Sequence, residues 1–444
     1  MQNLDLLTRL PTSLSCSILR DWLTLKYVIA LDSTYCCKLL RSNYLELLQS
    51  DEYFIREQIT FSKQSHCING LRRFGEKLRA IAFDDALTSA QGNFLLEHCH
   101  RLTHVRYNRL ESCTHESWSL LATNPHIEFL FASLSNTNYA NSVVPSWKGI
   151  VLPQLRTMSL TGMWVTNQHC LGAMRLSNNI TKLDLSHSKI KHSTLLQIPH
   201  LCPNLTSLGI AGTKLTDDIL SAITASCTNI VHLDISYNEE LTDAGILSMV
   251  QNVNRLQSLN IEGVQPLTST SLKHIYTHCA STLHTLYFDC LSGGPSFESN
   301  IICEFFERCQ HLQTVHFFVD LGAGTDFGCI LPQTNLNSLT TLALSGNFIC
   351  EDTLCIIGKS CFNLQTLSID SCHNHSATSL LSICNGCIHL NELCLVVSDT
   401  FDDEGERVRM SALEEFALNL WQQIRPGLVI SQTPLEARYS VTDM

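Results

Sequence analysis

CPNLTSLGIAGTKLTDDILSAITAS (residues 202–226) and CTNIVHLDISYNEELTDAGILSMVQN (residues 227–252) are two lines of the same text. Aligned, they place Leu205 over Ile230, Leu208 over Leu233 and Ile210 over Ile235. Side chains of a strand alternate in direction, so the fourth and sixth residues of each phrase face one side and those between them the other. In the second line the inward set is Ile230, Leu233 and Ile235, and the outward set includes Val231, His232 and Asp234. A polar turn follows, then Leu215-Thr216-Asp217 in one line and Leu241-Thr242-Asp243 in the other. Thr and Asp there can accept hydrogen bonds from the open amides of a following helix. Each line therefore reads as one short strand, one turn and one returning helix.

The phrase L-x-x-L-x-L extends well beyond these two lines. Its first apolar residue falls at Leu78, Leu102, Ile127, Leu155, Ile180, Leu205, Ile230, Leu256, Leu283, Leu312, Leu339, Leu364 and Leu390, at steps of 24 to 29 residues. That period and phrase are the leucine-rich-repeat signature. The expected fold is α/β: a leucine-rich-repeat solenoid, or horseshoe, with a parallel concave sheet, convex helices and a small helical N-terminal segment. A chain of 444 residues is long for one compact core, but a solenoid grows by units that touch only their neighbours.

The 21 cysteines fit this frame. Cys99, Cys202, Cys227, Cys309, Cys361 and Cys387 each lie three residues before the next phrase, and Cys279 lies four before Leu283. A thiol repeated at one structural position reads as a small buried side chain closing each helix against the next strand, not as a disulfide framework. The segments HCHRLTHV, LCPNLTSLGI, SCTNIVHLDISYNEELTDAGI and SCFNLQTLSIDSC resemble the cysteine-containing subclass of leucine-rich repeats, which occurs mostly in F-box proteins and related cytosolic proteins.

Residues 9–48 have helical periodicity instead. Ile18, Leu19, Trp22 and Leu23 form one apolar stripe, followed by Leu25, Val28, Ile29 and Leu31 and then Leu39 and Leu40. Leu10-Pro11 ahead of a helix ending in Trp22-Leu23 resembles an F-box. That resemblance implies contact with the adaptor of a cullin-type ubiquitin ligase through Leu10, Pro11, Ile18, Leu19, Trp22, Leu23, Val28 and Leu31. The other reading is a helical cap over the open apolar end of the first repeat, which every solenoid needs. The expected organisation is residues 1–50 as the F-box-like segment or cap, 51–77 as a linker or first helical unit, 78–398 as repeats and 399–444 as a closing region. The last holds the acidic run Asp399, Asp402, Asp403, Glu404 and Glu406, an amphipathic helix with Leu413, Phe416, Leu420 and Trp421 on one face, and a final strand at Leu428-Val429-Ile430.

Thirteen strands at about 4.8 Å would give an inner surface on the order of 60 Å long. From Leu155 to Leu208 its outward positions are small and polar, such as Thr157, Thr181 and Ser207. From Ile230 to Leu312 they become aromatic and acidic: His232, Asp234, Tyr237, Glu262, Tyr287, Asp289, His316 and Phe318. Aromatics beside carboxylates are the makings of a binding patch, against the plainer reading of a solvated sheet with scattered aromatics. Residues 135–147, 291–300 and 320–334 read as rim loops beside these repeats.

No phosphate loop, zinc-protease helix or nucleophile elbow occurs, so no catalytic residue, cofactor or enzyme activity is expected. Cys384-x-x-Cys387 with Cys372, His373 and His375 has ligands enough for zinc, but Cys387 holds the repeated cysteine position, and no metal site is expected. A net charge of −12 argues against nucleic acid as the main partner, and no stretch is long and apolar enough for a membrane span. The opening residues lack a signal peptide's basic and apolar parts, so the expected location is the cytoplasm or nucleus. The expected partner is a protein client, together with the ligase adaptor and cullin if the F-box resemblance holds.

Overall fold

The thirteen phrases become thirteen strands, each starting two residues after the phrase does. A computed structural model describes residues 59–61, 75–83, 89–107, 115–133, 147, 149–163, 165–290, 299–319, 336–345, 351–370, 377–396 and 429–431. The chain forms two compact units, Met1–Asn204 and Leu205–Met444.

In the first unit the strands are β1 (Ile59–Phe61), β2 (Ala80–Phe83), β3 (His104–Tyr107), β4 (Phe129–Ser133), β5 (Thr157–Thr161) and β6 (Lys182–Asp184). They lie side by side in chain order, every neighbouring pair parallel. The connecting helices are α1 (Ser89–His98), α2 (His115–Ala122), α3 (Asn167–Met174), α4 (His192–Leu195) and α5 (Ile198–Leu201). One inward row runs Ile81, Val105, Leu130, Met158 and Leu183, matched across the register and buried throughout. Burying an aliphatic side chain of this kind contributes about 1.5–3 kcal/mol. Aromatic rings fill the wider part of this core: Phe83 stacks on Tyr107 at 4.6 Å, and Trp118 meets Tyr107 at 5.7 Å and Trp147 at 5.1 Å.

The second unit holds β7 (Ser207–Gly209), β8 (His232–Asp234), β9 (Ser258–Ile261), β10 (Thr285–Cys290), β11 (Thr314–Val319), β12 (Thr341–Ser345), β13 (Thr366–Asp370), β14 (Glu392–Val396) and β15 (Val429–Ser431). These are again parallel and in chain order. Its helices are α6 (Asp217–Ser226), α7 (Asp243–Asn252), α8 (Ser269–Cys279), α9 (Ser299–Arg308), α10 (Glu351–Ser360) and α11 (Ala377–Gly386).

The Leu-Thr-Asp motif ties one repeat to the next. Thr242 caps α7 by accepting from the Ala244 amide at 3.2 Å, while its own amide and hydroxyl donate to the Asp217 carboxylate at 2.9 and 2.6 Å. Asp243 receives Thr268 in the same way at 3.0 and 2.6 Å, and Thr268 caps α8. An acid in the first turn of one helix thus holds the N-cap of the next, where the helix dipole favours negative charge.

Two boundaries differ from the sequence reading. The final strand forms at Val429–Ser431, one residue later than the expected Leu428-Val429-Ile430, and β1 lies inside the stretch read as a linker or helical unit. Its phrase has Arg56 where the first apolar residue belongs, so only Ile59-Thr60-Phe61 carries the strand pattern. The helices add their own residues to this core: Ile219, Leu220 and Ile246 are buried and Leu247 is half-buried.

The repeated cysteines are buried free thiols, none of them in a disulfide. Burial pushes the thiols of Cys99 and Cys309 up to about 12 and those of Cys227 and Cys279 up to about 11. Below about pH 8.5, the ordinary thiol value, folded and unfolded chains both keep these protons. As pH rises further only the unfolded chain releases them, so folding loses stability toward the raised values. The urea midpoint is expected to fall steadily above pH 9. Iodoacetamide at pH 8 should label these cysteines only after unfolding, and rapid labelling of the native chain would contradict their burial.

Candidate interaction surface

The outward side chains of a parallel repeat sheet form lanes across the strands, because register places equivalent positions side by side. One lane in the second unit runs His232, Ser258, Thr285, Thr314, Thr341, Thr366 and Glu392. It is largely half-exposed and rich in short hydroxyl side chains. The next lane runs Asp234, Asn260, Tyr287, His316, Ala343, Ser368 and Cys394.

The eight residues expected on this surface separate into two groups. Tyr287 and His316 are register partners on β10 and β11 with rings 4.5 Å apart, and the Phe318 ring lies 6.4 Å from His316. Asp289 pairs in register with Phe318. The second group, His232, Asp234, Tyr237 and Glu262, belongs to β8, β9 and the turns after them. There the Tyr237 amide donates to the Glu262 carbonyl at 2.8 Å. Tyr237 has a left-handed backbone with φ 54° and is half exposed, at 51%. Its ring lies across Gly263, where an added Cβ would fall 2.6 Å from the ring. His232, Glu262, Tyr287 and Asp289 are half-buried.

Three of the eight are not exposed as expected. His316 and Phe318 retain 4% and 6% of their surface, since neighbouring rings cover one another. Burial pushes the His316 imidazole down to about 4, so it is neutral at pH 7. Asp234 retains 4%, and its Oδ1 accepts from the Ser236 amide at 3.1 Å and the Ser236 hydroxyl at 2.7 Å. Asp184 receives the Ser186 amide and Asn260 the Glu262 amide in the same manner. Asp234 is therefore part of a turn that recurs after β6, β8 and β9, and the sequence could not distinguish that role from a ligand-facing acid.

The first unit carries a patch the sequence reading passed over. On β3, His104 and Arg106 are exposed; on β4, their register partners Phe129 and Phe131 are half-exposed. The His104 ring stacks on Phe129 at 3.9 Å and 11°. Its sequence signal is the outward positions of LTHVRY and IEFLFA, upstream of the repeats that begin at Leu155. Leu10, Pro11, Ile18, Leu19, Trp22, Leu23, Val28 and Leu31 lie outside the described residues, as do Cys372, His373 and His375. Among the described residues no group of three or more His, Cys, Asp or Glu could hold a metal ion, and no helix is long and apolar enough to cross a membrane.

No family model matches the chain, and no curated protein matches it. Among solved structures it is similar to one of the Rad7 and Elc1 complex in yeast, with 15% identity and a TM-score of 0.54 over 94% of this chain and 91% of that one. It is also similar to the leucine-rich repeat-containing protein LegL7 from Legionella pneumophila, with 13% identity and a TM-score of 0.36 over 84% of this chain and 100% of that one. An internalin from Listeria monocytogenes gives 13% identity and a TM-score of 0.37 over 92% and 94%. Strands set on every phrase, parallel and in chain order, with buried thiols closing seven of the coils, give the chain the fold of leucine-rich-repeat proteins.

Proposed function

We propose that this chain is a non-enzymatic protein-interaction scaffold that recruits a protein client to a cullin-type ubiquitin ligase. The client occupies the sheet face and the N-terminal helices meet the adaptor. The observation that carries the interaction reading is the sheet face itself: a lane of mostly half-exposed side chains held in register, from His232 through Glu392. Tyr237, Tyr287 and Glu262 give one part of that face aromatic and acidic chemistry suited to recognition. The ligase reading draws on the F-box-like Leu10-Pro11 and Trp22-Leu23 residues and on the similarity to a structure of Rad7 in complex with a second protein, Elc1. Such a chain would work in the cytoplasm or nucleus.

Co-purification with the ligase adaptor tests it. The wild-type chain is expected to retain the adaptor, and Trp22→Ala and Leu23→Asp to lose at least nine-tenths of it. Equal, background recovery from all three would leave a scaffold that works without a ligase.

A further inference from the structure

We infer that the sheet face of the first unit, from β3 to β6, docks an acidic peptide segment of a protein partner that also carries an apolar side chain. The inference rests on the interaction reading above and adds the partner's chemistry. Outward positions on β3 and β4 bring His104, Arg106, Phe129 and Phe131 into two adjacent register pairs. Thr157 links Phe129 to the exposed Lys182 on β6, and the exposed Arg156 directly precedes Thr157. Arg106, Arg156 and Lys182 therefore border a surface whose middle is aromatic.

Charge decides the partner. The chain as a whole is at −12, yet this face presents three exposed cations. The acids near them do not balance that. Glu128 is a single half-buried carboxylate whose charge acts on His104, where burial outweighs it and lowers the imidazole's pKa. Asp184 is held by the Ser159 hydroxyl at 3.1 Å and the Ser186 amide at 3.0 Å, and burial raises its pKa despite those bonds. A carboxylate-bearing segment would find guanidinium and ammonium groups at the border. Its Leu or Phe would find the Phe129 and Phe131 rings at the centre, where apolar anchoring is strongest. Four strands at about 4.8 Å span roughly 14 Å, the length of about four to five extended residues. The site is thus sized for a short linear segment.

Fluorescence anisotropy with the full chain tests this, using three labelled probes. They are a 12-residue peptide alternating Glu with Leu and Phe, the same peptide with Lys for Glu, and a 12-nucleotide oligo-dT. The acidic peptide is expected to bind at least tenfold more tightly than the basic one, and to weaken as salt rises. The double variant Arg106→Glu with Lys182→Glu should weaken it by tenfold or more, and Phe131→Ser by fivefold. Lys273→Glu, on α8 of the other unit, should leave it unchanged. Unchanged binding by the double variant, or equal binding of the basic peptide, would overturn the inference. Preference for oligo-dT would replace it with a nucleic-acid face. Adaptor co-purification is read separately, so loss of the adaptor with retained peptide binding rejects only the ligase reading. Retained adaptor with no peptide binding rejects only this one.

Discussion

Asn238→Leu is expected to cost the second unit about 4 kcal/mol, since buried polar groups left without partners cost about 1–3 kcal/mol each and only some can rebond. Asn238 is fully buried in the turn after β8. Its Oδ1 accepts from the amides of Thr213 at 3.0 Å and Leu215 at 2.9 Å, both in the preceding repeat. Its Nδ2 donates to the carbonyls of Ile210 at 3.0 Å, Ile235 at 2.9 Å and Ser236 at 3.2 Å. One amide therefore satisfies backbone groups of two coils at a place water does not reach. Leucine has the same branching but is larger, and it satisfies none of them. Asn238→Asp separates the two halves of this role, because it keeps the acceptor for Thr213 and Leu215 but turns an oxygen toward three carbonyls. The folded state then disfavours the carboxylate, which raises its pKa. The sign follows: relative to wild type, Asn238→Asp is least damaging below about pH 4, where both states are protonated, and loses stability as pH rises. Urea unfolding at pH 4.5 and pH 7 reads the difference. A variant within about 0.5 kcal/mol of wild type at pH 7 would show that water or neighbouring groups replace the amide.

The same position shows why the fold was legible in the sequence and much of the surface was not. Inward positions are constrained by volume and apolarity alone, so Leu205, Leu208 and Ile210 announce themselves by spacing, and so do the cysteines. The turn position is filled by Ser188, Thr213, Asn238 and Val264 in successive repeats. The Ser188 and Thr213 hydroxyls each donate to a carbonyl three residues back, at 2.5 and 2.7 Å, whereas the Asn238 amide bonds backbone groups of the neighbouring coil as well as its own. Different chemistry at one structural position leaves no period to find. Outward positions are harder still, because alternation fixes which side of the sheet a residue faces but not what covers it. Asp234 faced the expected side and was taken up by Ser236; His316 was covered by Tyr287 and Phe318. His104 and Phe129 needed the register of β3 against β4 before their stacking could be seen. The strand at Ile59 breaks the pattern because its phrase has an arginine, Arg56, in place of the first apolar residue.

Gly386→Ala and Gly358→Ala should each destabilise the chain by about 2–3 kcal/mol, the range of overpacking in a closely packed contact, even though alanine is the better helix former. Both glycines sit where α10 and α11 approach backbone to backbone. A Cβ at Gly386 would overlap the carbonyl oxygen of Gly358, and a Cβ at Gly358 would lie 2.5 Å from the Ser382 carbonyl carbon. Neither neighbour is the flexible end of a side chain, so the helices themselves must separate. That separation would strip Leu354, Ile357, Leu380 and Ile383 of contacts across the helix pair, all of them now buried. Gly92→Ala on α1 supplies the opposing case. There an added Cβ would meet only the Phe83 ring, at 3.9 Å, an ordinary contact. Helix propensity then decides the outcome, and a gain of about 0.5–1 kcal/mol is expected. Hydrogen exchange localises each effect, because opening of α10 and α11 exposes the amides of Cys361 and Cys387, which donate to Ile357 and Ile383. If all three substitutions stabilise alike, the two helices are not in backbone contact and the repeats at this end are spaced more widely than a glycine pair requires.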